Sequence, residues 1–149
     1  MKYIIQFQGD YSFLSNFYHC SVEMDGKVYP SVEHAFQAAK THDCAKRDII
    51  RKAPTPSEAK RLGRKLLLRS DWEKVKVDIM QELVMHKFQN PELAAKLVET
   101  DDAKLIEGNW WNDTFWGVCN GKGENRLGQI LESVRTTLIG RGLNRKQVK

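Results

Sequence analysis

No apolar run in this chain of 149 residues approaches the roughly 18 residues of a membrane-spanning helix, so no such span is expected. The start, Met1-Lys2-Tyr3-Ile4-Ile5-Gln6, lacks the long apolar stretch and small-residue cleavage site of a signal peptide, which points to a cytoplasmic protein. Cysteine is scarce. Cys20, Cys44 and Cys119 are an odd count without paired spacing, suiting free thiols in a reducing compartment better than a disulfide frame. His42-x-Cys44 is too short and too isolated to count as a metal site. Repeats, low-complexity tracts and linkers are also missing, leaving one ordinary globular domain, 41% hydrophobic and 29% charged.

The net charge of +5 is unevenly distributed. Between Cys44 and Arg69 stand nine Lys and Arg (among them Lys60, Arg61 and Arg64) against only Asp48 and Glu58. Gly140 to Lys149 adds four more cations and no acid. Such asymmetry suits a phosphate-bearing partner, either free nucleotide or polymer; the alternative is a solvated helix face followed by a basic tail. Gly63 lies inside a helix-like pattern, where a glycine usually has a packing or ligand-approach reason.

Alternation predicts a strand over Tyr3–Phe7, and Asp25-Gly26 between Cys20–Met24 and Lys27–Tyr29 is a hairpin signal, since both turn residues tolerate positive φ. Thereafter the pattern is helical. Pro30-Ser31 opens a helix toward Lys40, and the capping box Thr55-Pro56-Ser57-Glu58 opens one to about Leu67. A second box, Ser70-Asp71-Trp72-Glu73, leads a long helix whose apolar positions are Val75, Ile79, Leu83 and His86/Lys87. Helices from Pro91 to Val98 and Arg126 to Ile139, with a strand at Ala103–Glu107, complete an α+β fold that is mostly helical with a small N-terminal β-hairpin.

Four clusters carry chemistry. In the first helix Glu33, Phe36, Gln37 and Lys40 share one stripe, because residues three and four apart lie on one face. Charged ends flanking a Phe suit a lined pocket; alternatively Glu33 and Lys40 are in solvent while Phe36 packs in the core. The loop from Glu107 to Gly117 holds Trp110, Trp111 and Trp116 beside Glu107 and Asp113. Planar indole faces beside carboxylates suit a flat polar ligand such as a nucleobase, against the alternative of an aromatic plug with Asn112 and Asp113 as turn residues. Phe13-Leu14-Ser15-Asn16-Phe17-Tyr18 is either a binding loop in which Asn16 reads a ligand edge or a simple bend. Gly121-Lys122-Gly123-Glu124-Asn125-Arg126-Leu127-Gly128 enters a helix as a phosphate cradle does, but lacks the Walker Lys-Ser/Thr pair.

In this order the clusters resemble the YbiA-like (NADAR) family. The match runs through Leu14-Ser15-Asn16-Phe17, Tyr29-Pro30-Ser31, Glu33-His34-Ala35-Phe36-Gln37-Ala38-Ala39-Lys40 and Ala59-Lys60-Arg61-Leu62-Gly63-Arg64. It continues through Trp72, Met80, Lys87-Phe88, Leu105-Ile106-Glu107, Asp113 and Trp116-Gly117 to Gly121–Gly128. Residues 1–139 are therefore expected as a YbiA-like/NADAR domain and 140–149 as a basic, flexible tail. Asn109–Asn112 looks slightly longer than the family's connection. Glu132-Ser133 stands where the family tends to carry apolar residues, a departure expected to affect only packing.

The resemblance implies an N-glycosidase needing neither metal nor redox cofactor. Its substrate would be a phosphorylated ribosyl small molecule, such as a ribosylaminopyrimidine phosphate of riboflavin synthesis, or ADP-ribosylated guanine in nucleic acid. An N-glycosidic bond breaks through an oxocarbenium-like transition state, which a carboxylate stabilises while a protonated group assists the leaving nitrogen. The resemblance implies Glu33 and Asp113 as the two carboxylates, which we assign to acid/base work and to cation stabilisation or water orientation respectively. It implies Lys40 as a nucleophile forming a Schiff base with ring-opened ribose, the alternative being that Lys40 pairs with a phosphate or with Glu33. Trp116 and Trp72 would pack on base or sugar, Asn16 and Phe17 would hold the base, and Arg64 would meet phosphate, with Glu107 and Asn125 also at the substrate. A different class of function, a non-catalytic ADP-ribose or nucleotide-binding module, would need the aromatics, Asn16 and Arg64 but not the carboxylate and amine together.

Overall fold

The computed structural model describes residues 2–142 and is α+β, divided into two compact units: Asn16–Lys87, and residues 2–15 together with 88–142. None of its helices is long and apolar enough to cross a membrane, among the described residues.

The second of these units contains both chain ends. Strand β1 (Tyr3–Ile4) is shorter than alternation predicts, and a 3-10 helix follows at Gly9–Leu14. The unit resumes after residue 87. Further along it, β4 (Lys104–Leu105) pairs in parallel with β1, Ile4 opposite Leu105. Beyond Ile4 the chain still bonds to this edge, since Gly108 N–H donates to Ile5 O at 3.2 Å. A Cβ on Gly108 would lie 2.2 Å from that oxygen, which is why this crossing needs glycine. Strands β5 (Gly108–Asn109) and β6 (Val118–Cys119) make a second parallel pair. Helix α5 (Pro91–Glu99) is capped by Asn90, whose side chain accepts from the N–H groups of Glu92 and Leu93; α6 (Arg126–Gly140) packs on α5 and β4. Gly140 is thus the end of a helix, Arg141 and Gly142 form a turn, and the rest of the expected basic tail lies outside the described residues.

Within Asn16–Lys87, Asp25 (φ 50°) and Gly26 (φ 79°) make the expected two-residue turn between β2 (Val22–Met24) and β3 (Lys27–Tyr29). Helix α1 (Val32–Ala38) follows, with all seven residues buried. The Ser31 hydroxyl accepts from His34 N–H at 3.1 Å and donates to His34 Nδ1 at 2.7 Å. This tautomer follows from the other ring nitrogen, which must donate to the Ala53 carbonyl at 3.0 Å. Burial holds the ring's pKa below its ordinary value, in keeping with neutral imidazole. Helices α2 (Cys44–Arg51), α3 (Pro56–Gly63) and α4 (Trp72–Lys87) pack around α1. Thr55 caps α3 as the sequence predicts, but the helix ends at Gly63 rather than near Leu67.

The buried face of α4 also differs from expectation. Trp72, Met80, Leu83, Val84 and Lys87 are buried, whereas Val75 and Ile79 are half-buried and His86 is exposed. The face is shifted because α4 packs against both α1 and β2.

Candidate active site

Helix α1 supplies the first cluster. Glu33 is 7% exposed, so the reading that puts it in solvent is wrong, and Lys40 just past the helix is half-buried. Between them Gln37 Nε2 donates to Glu33 Oε1 at 3.0 Å. Desolvation pushes the Lys40 pKa below its ordinary value of 10.5; the Glu33 charge opposes this, while Arg64, Lys60 and Lys76 reinforce it. Its main chain is fixed from outside the helix: Arg69 N–H donates to Lys40 O at 2.8 Å, and the Arg69 guanidinium reaches Ala39 O at 3.4 Å. Arg69 is itself held by two contacts to the Asp71 carboxylate, at 2.6 and 2.9 Å.

Around this helix stand four more of the expected residues. Asn16 O accepts from Glu33 N–H at 3.0 Å and Asn16 Nδ2 donates to Met80 Sδ at 3.5 Å, so Asn16 is fastened to the first turn of α1. Phe17 beside it is exposed. Trp72 is buried, its ring 5.0 Å from that of Phe36 at an interplanar angle of 52°; this is a core contact. Arg64 caps the end of α3 with its side chain exposed.

The other unit holds Glu107, Asp113, Trp116 and Asn125. Asp113 Oδ1 accepts from the N–H groups of Phe115 (3.2 Å) and Trp116 (2.9 Å), a local turn of the kind acidic side chains favour. Asn109 closes the loop from the other side. Its Oδ1 accepts from Asp113 N–H at 3.0 Å and its Nδ2 donates to Asp113 O at 2.9 Å. This bridge is the part of the loop that spacing did not reveal, although an Asn four residues before an Asp was its only available signal. The aromatic-plug reading fails for two of the three indoles: Trp110 and Trp111 are exposed and pack edge-to-face on each other, while Trp116 is half-buried against Phe115.

Asn125 is buried in the left-handed region (φ 54°), where its side chain braces β4 and the residue that leads out of it. It accepts from Glu107 N–H at 3.0 Å and donates to Leu105 O at 2.9 Å. Two glycines let this brace close: a Cβ on Gly128 would lie 2.0 Å from Leu105 O, and one on Gly117 would lie 2.2 Å from Glu107 O. The glycine-rich segment before Asn125 forms a tight turn, with Cys119 and Lys122 exchanging main-chain hydrogen bonds at 2.8 and 3.0 Å. Glu132 does more than pack: its Oε2 accepts from Leu105 N–H at 2.8 Å.

The family model of the NADAR domain matches residues 3–139. The chain belongs to the NADAR family. It is 44% identical over 133 residues to N-glycosidase YbiA of Shigella boydii, covering 87% of this chain and 82% of that protein. A riboflavin biosynthesis protein of Vibrio vulnificus is 39% identical over 133 residues, 87% of this chain but 36% of that longer protein. Among solved structures, the NMR structure of Escherichia coli YbiA matches with a TM-score of 0.83 and 40% identity, over 95% of this chain and 89% of that one. The α+β architecture is therefore that of a NADAR domain.

Proposed function

We propose that this NADAR domain is an N-glycosidase that hydrolyses a ribosyl–nitrogen bond in a phosphorylated, nucleotide-like substrate. The observation that carries the reading is a buried carboxylate, Glu33, on α1 together with Lys40 just past its end, an amine of lowered pKa on which the Glu33 charge acts. The name borne by the Shigella relative supports it.

A lysine attacks carbon only as the neutral amine, and burial beside Lys60 and Arg64 favours that form. In the proposed reaction Lys40 Nζ bonds to the anomeric carbon as the bond to the base nitrogen breaks, with Glu33 moving the proton that the leaving nitrogen needs. Opening of the ribose ring then gives an imine, which water hydrolyses to release the sugar and restore the amine. Lys60 and Arg64 suit a phosphate group as well as they suit Lys40. Asp113 has Oδ1 committed to the turn, and we assign Oδ2 to stabilising cationic charge or orienting water. Trp116 and Phe17 are assigned to the planar heterocycle, Trp72 to shaping the Phe36 side of the helix, and Asn125 to holding Glu107.

Two substrate classes share the required bond, phosphate and heterocycle: ribosylaminopyrimidine phosphates and ADP-ribosylated guanine. The Vibrio relative's name favours the first, and the basic surplus between Cys44 and Arg69 favours the second. The free thiols of Cys20, Cys44 and Cys119 support a reducing, cytoplasmic setting. Mass spectrometry of the products from each substrate decides between the classes: free pyrimidine plus ribose phosphate from one, restored guanine plus ADP-ribose from the other. Binding without turnover of either, unchanged in Glu33→Ala, would make the protein a nucleotide-binding module instead.

A further inference from the structure

Gln37 is 4% exposed, and the orientation of its amide follows from simple chemistry. An ionised carboxylate only accepts hydrogen bonds, so Nε2 faces Glu33 and Oε1 is turned away. That oxygen is buried and accepts no hydrogen bond from the described residues. It rests instead against Gly63 near the end of α3: a Cβ added there would lie 1.9 Å from Oε1 and 2.7 Å from Cδ of Gln37.

Gly63 has no positive φ to explain it, and inside a helix alanine is the better residue on backbone grounds. What position 63 needs is the missing methyl, whose space the Gln37 amide fills. An unmade hydrogen bond at a buried carbonyl is unfavourable, and the opposite orientation is worse because it sets that carbonyl against the carboxylate. The same turn of α3 carries Lys60 and Arg64, the cations that act on Lys40. The last turn of α3 and its cap thus lie against the Gln37 amide and act on Lys40.

We propose that Gln37 is a positioning residue that fixes the Glu33 carboxylate, and that Gly63 is the seat that leaves room for its amide to do so. The assignment rests on Glu33 being catalytic, so its test has one arm that needs no turnover.

In that arm, the side-chain amide resonances of Gln37 are followed in nitrogen-15 spectra, assigned by their loss in Gln37→Leu. Glu33→Gln and Gly63→Ala should each shift the Gln37 pair; resonances unmoved in both variants overturn the relay. In the kinetic arm, Gln37→Leu and Gly63→Ala should each lower kcat by roughly tenfold to a hundredfold, as expected for a misplaced catalytic group, with KM within about threefold. The double variant should be no worse than the poorer single, because both changes release the same carboxylate. Unchanged kcat in Gln37→Leu, or fully additive losses, contradict the proposal. Should Gly63→Ala fail to fold by circular dichroism, Gln37→Leu, which keeps most of the volume, carries both arms with Glu33→Gln. If the wild-type protein turns over no ribosyl–nitrogen substrate, the glycosidase reading fails while the spectra still decide whether the relay exists.

Discussion

The Asp113 carboxylate accepts the main-chain N–H of Trp116 at 2.9 Å, so the residue expected to steady positive charge also sets the backbone that carries the indole. The two roles separate by substitution. Asp113→Asn keeps an oxygen for the turn and loses the charge; Asp113→Ala loses both. Asp113→Asn should unfold at nearly the wild-type temperature yet lose at least about tenfold in kcat, within the range for removing one electrostatic stabiliser. Asp113→Ala should lose comparable activity and also about 1 kcal/mol or more of stability. Thermal unfolding and steady-state kinetics of the pair check both statements.

Burial pushes the Lys40 pKa below its ordinary value and the charges of Arg64, Lys60 and Lys76 push it the same way, while Glu33 pulls the other way. In the proposed reaction the attacking group is the neutral Lys40 amine, so the rate should rise with pH through the Lys40 pKa. Arg64→Ala and Lys60→Ala each remove a nearby positive charge, and both should move the Lys40 titration to higher pH. Isotope-labelled lysine side chains followed by NMR give this titration directly.

Asn125→Ala should destabilise the protein by about 2–4 kcal/mol, since it strips partners from the main chain at Glu107 and Leu105 and puts alanine at φ 54°. Chemical denaturation measures the loss.

Lys87, 2% exposed, has its pKa lowered from 10.5 to about 8 by burial, with Cys20 opposing the change. Its ammonium lies 5.6 Å from the centre of the Tyr18 ring. The native state disfavours the charged form, so the penalty is complete below about pH 8. It is relieved between about 8 and 10.5, where the unfolded chain still holds the proton. Stability relative to Lys87→Met should therefore rise by about 3 kcal/mol across that window, roughly 1.4 kcal/mol for each pH unit crossed. Denaturation midpoints of both proteins at about pH 7.5 and about pH 10.5 test the sign.

What sequence made legible was local. The Asp25-Gly26 turn and the Ser31 and Thr55 caps depend on neighbours a few residues apart, and each stands where its spacing places it, whereas the helix expected to reach Lys40 stops at Ala38. Contacts between distant segments were not legible. The first strand stops at Ile4 because its partner Lys104–Leu105 is just as short. The α4 face is set by α1 and β2 together, and Asn125 is spent on Leu105 in β4 and on Glu107 beyond it, 20 and 18 residues away. Gln37 stood on the right face, but its role depends on a glycine 26 positions later whose missing methyl no helical pattern reveals.

Borohydride trapping reads out whether Lys40 bonds to the sugar. With wild-type protein, turnover substrate and reductant, peptide mass mapping should find the ribosyl adduct on Lys40, and Lys40→Ala should abolish it along with turnover. Adduct on another lysine, or wild-type turnover persisting in Lys40→Ala, would rule out Lys40 as the nucleophile.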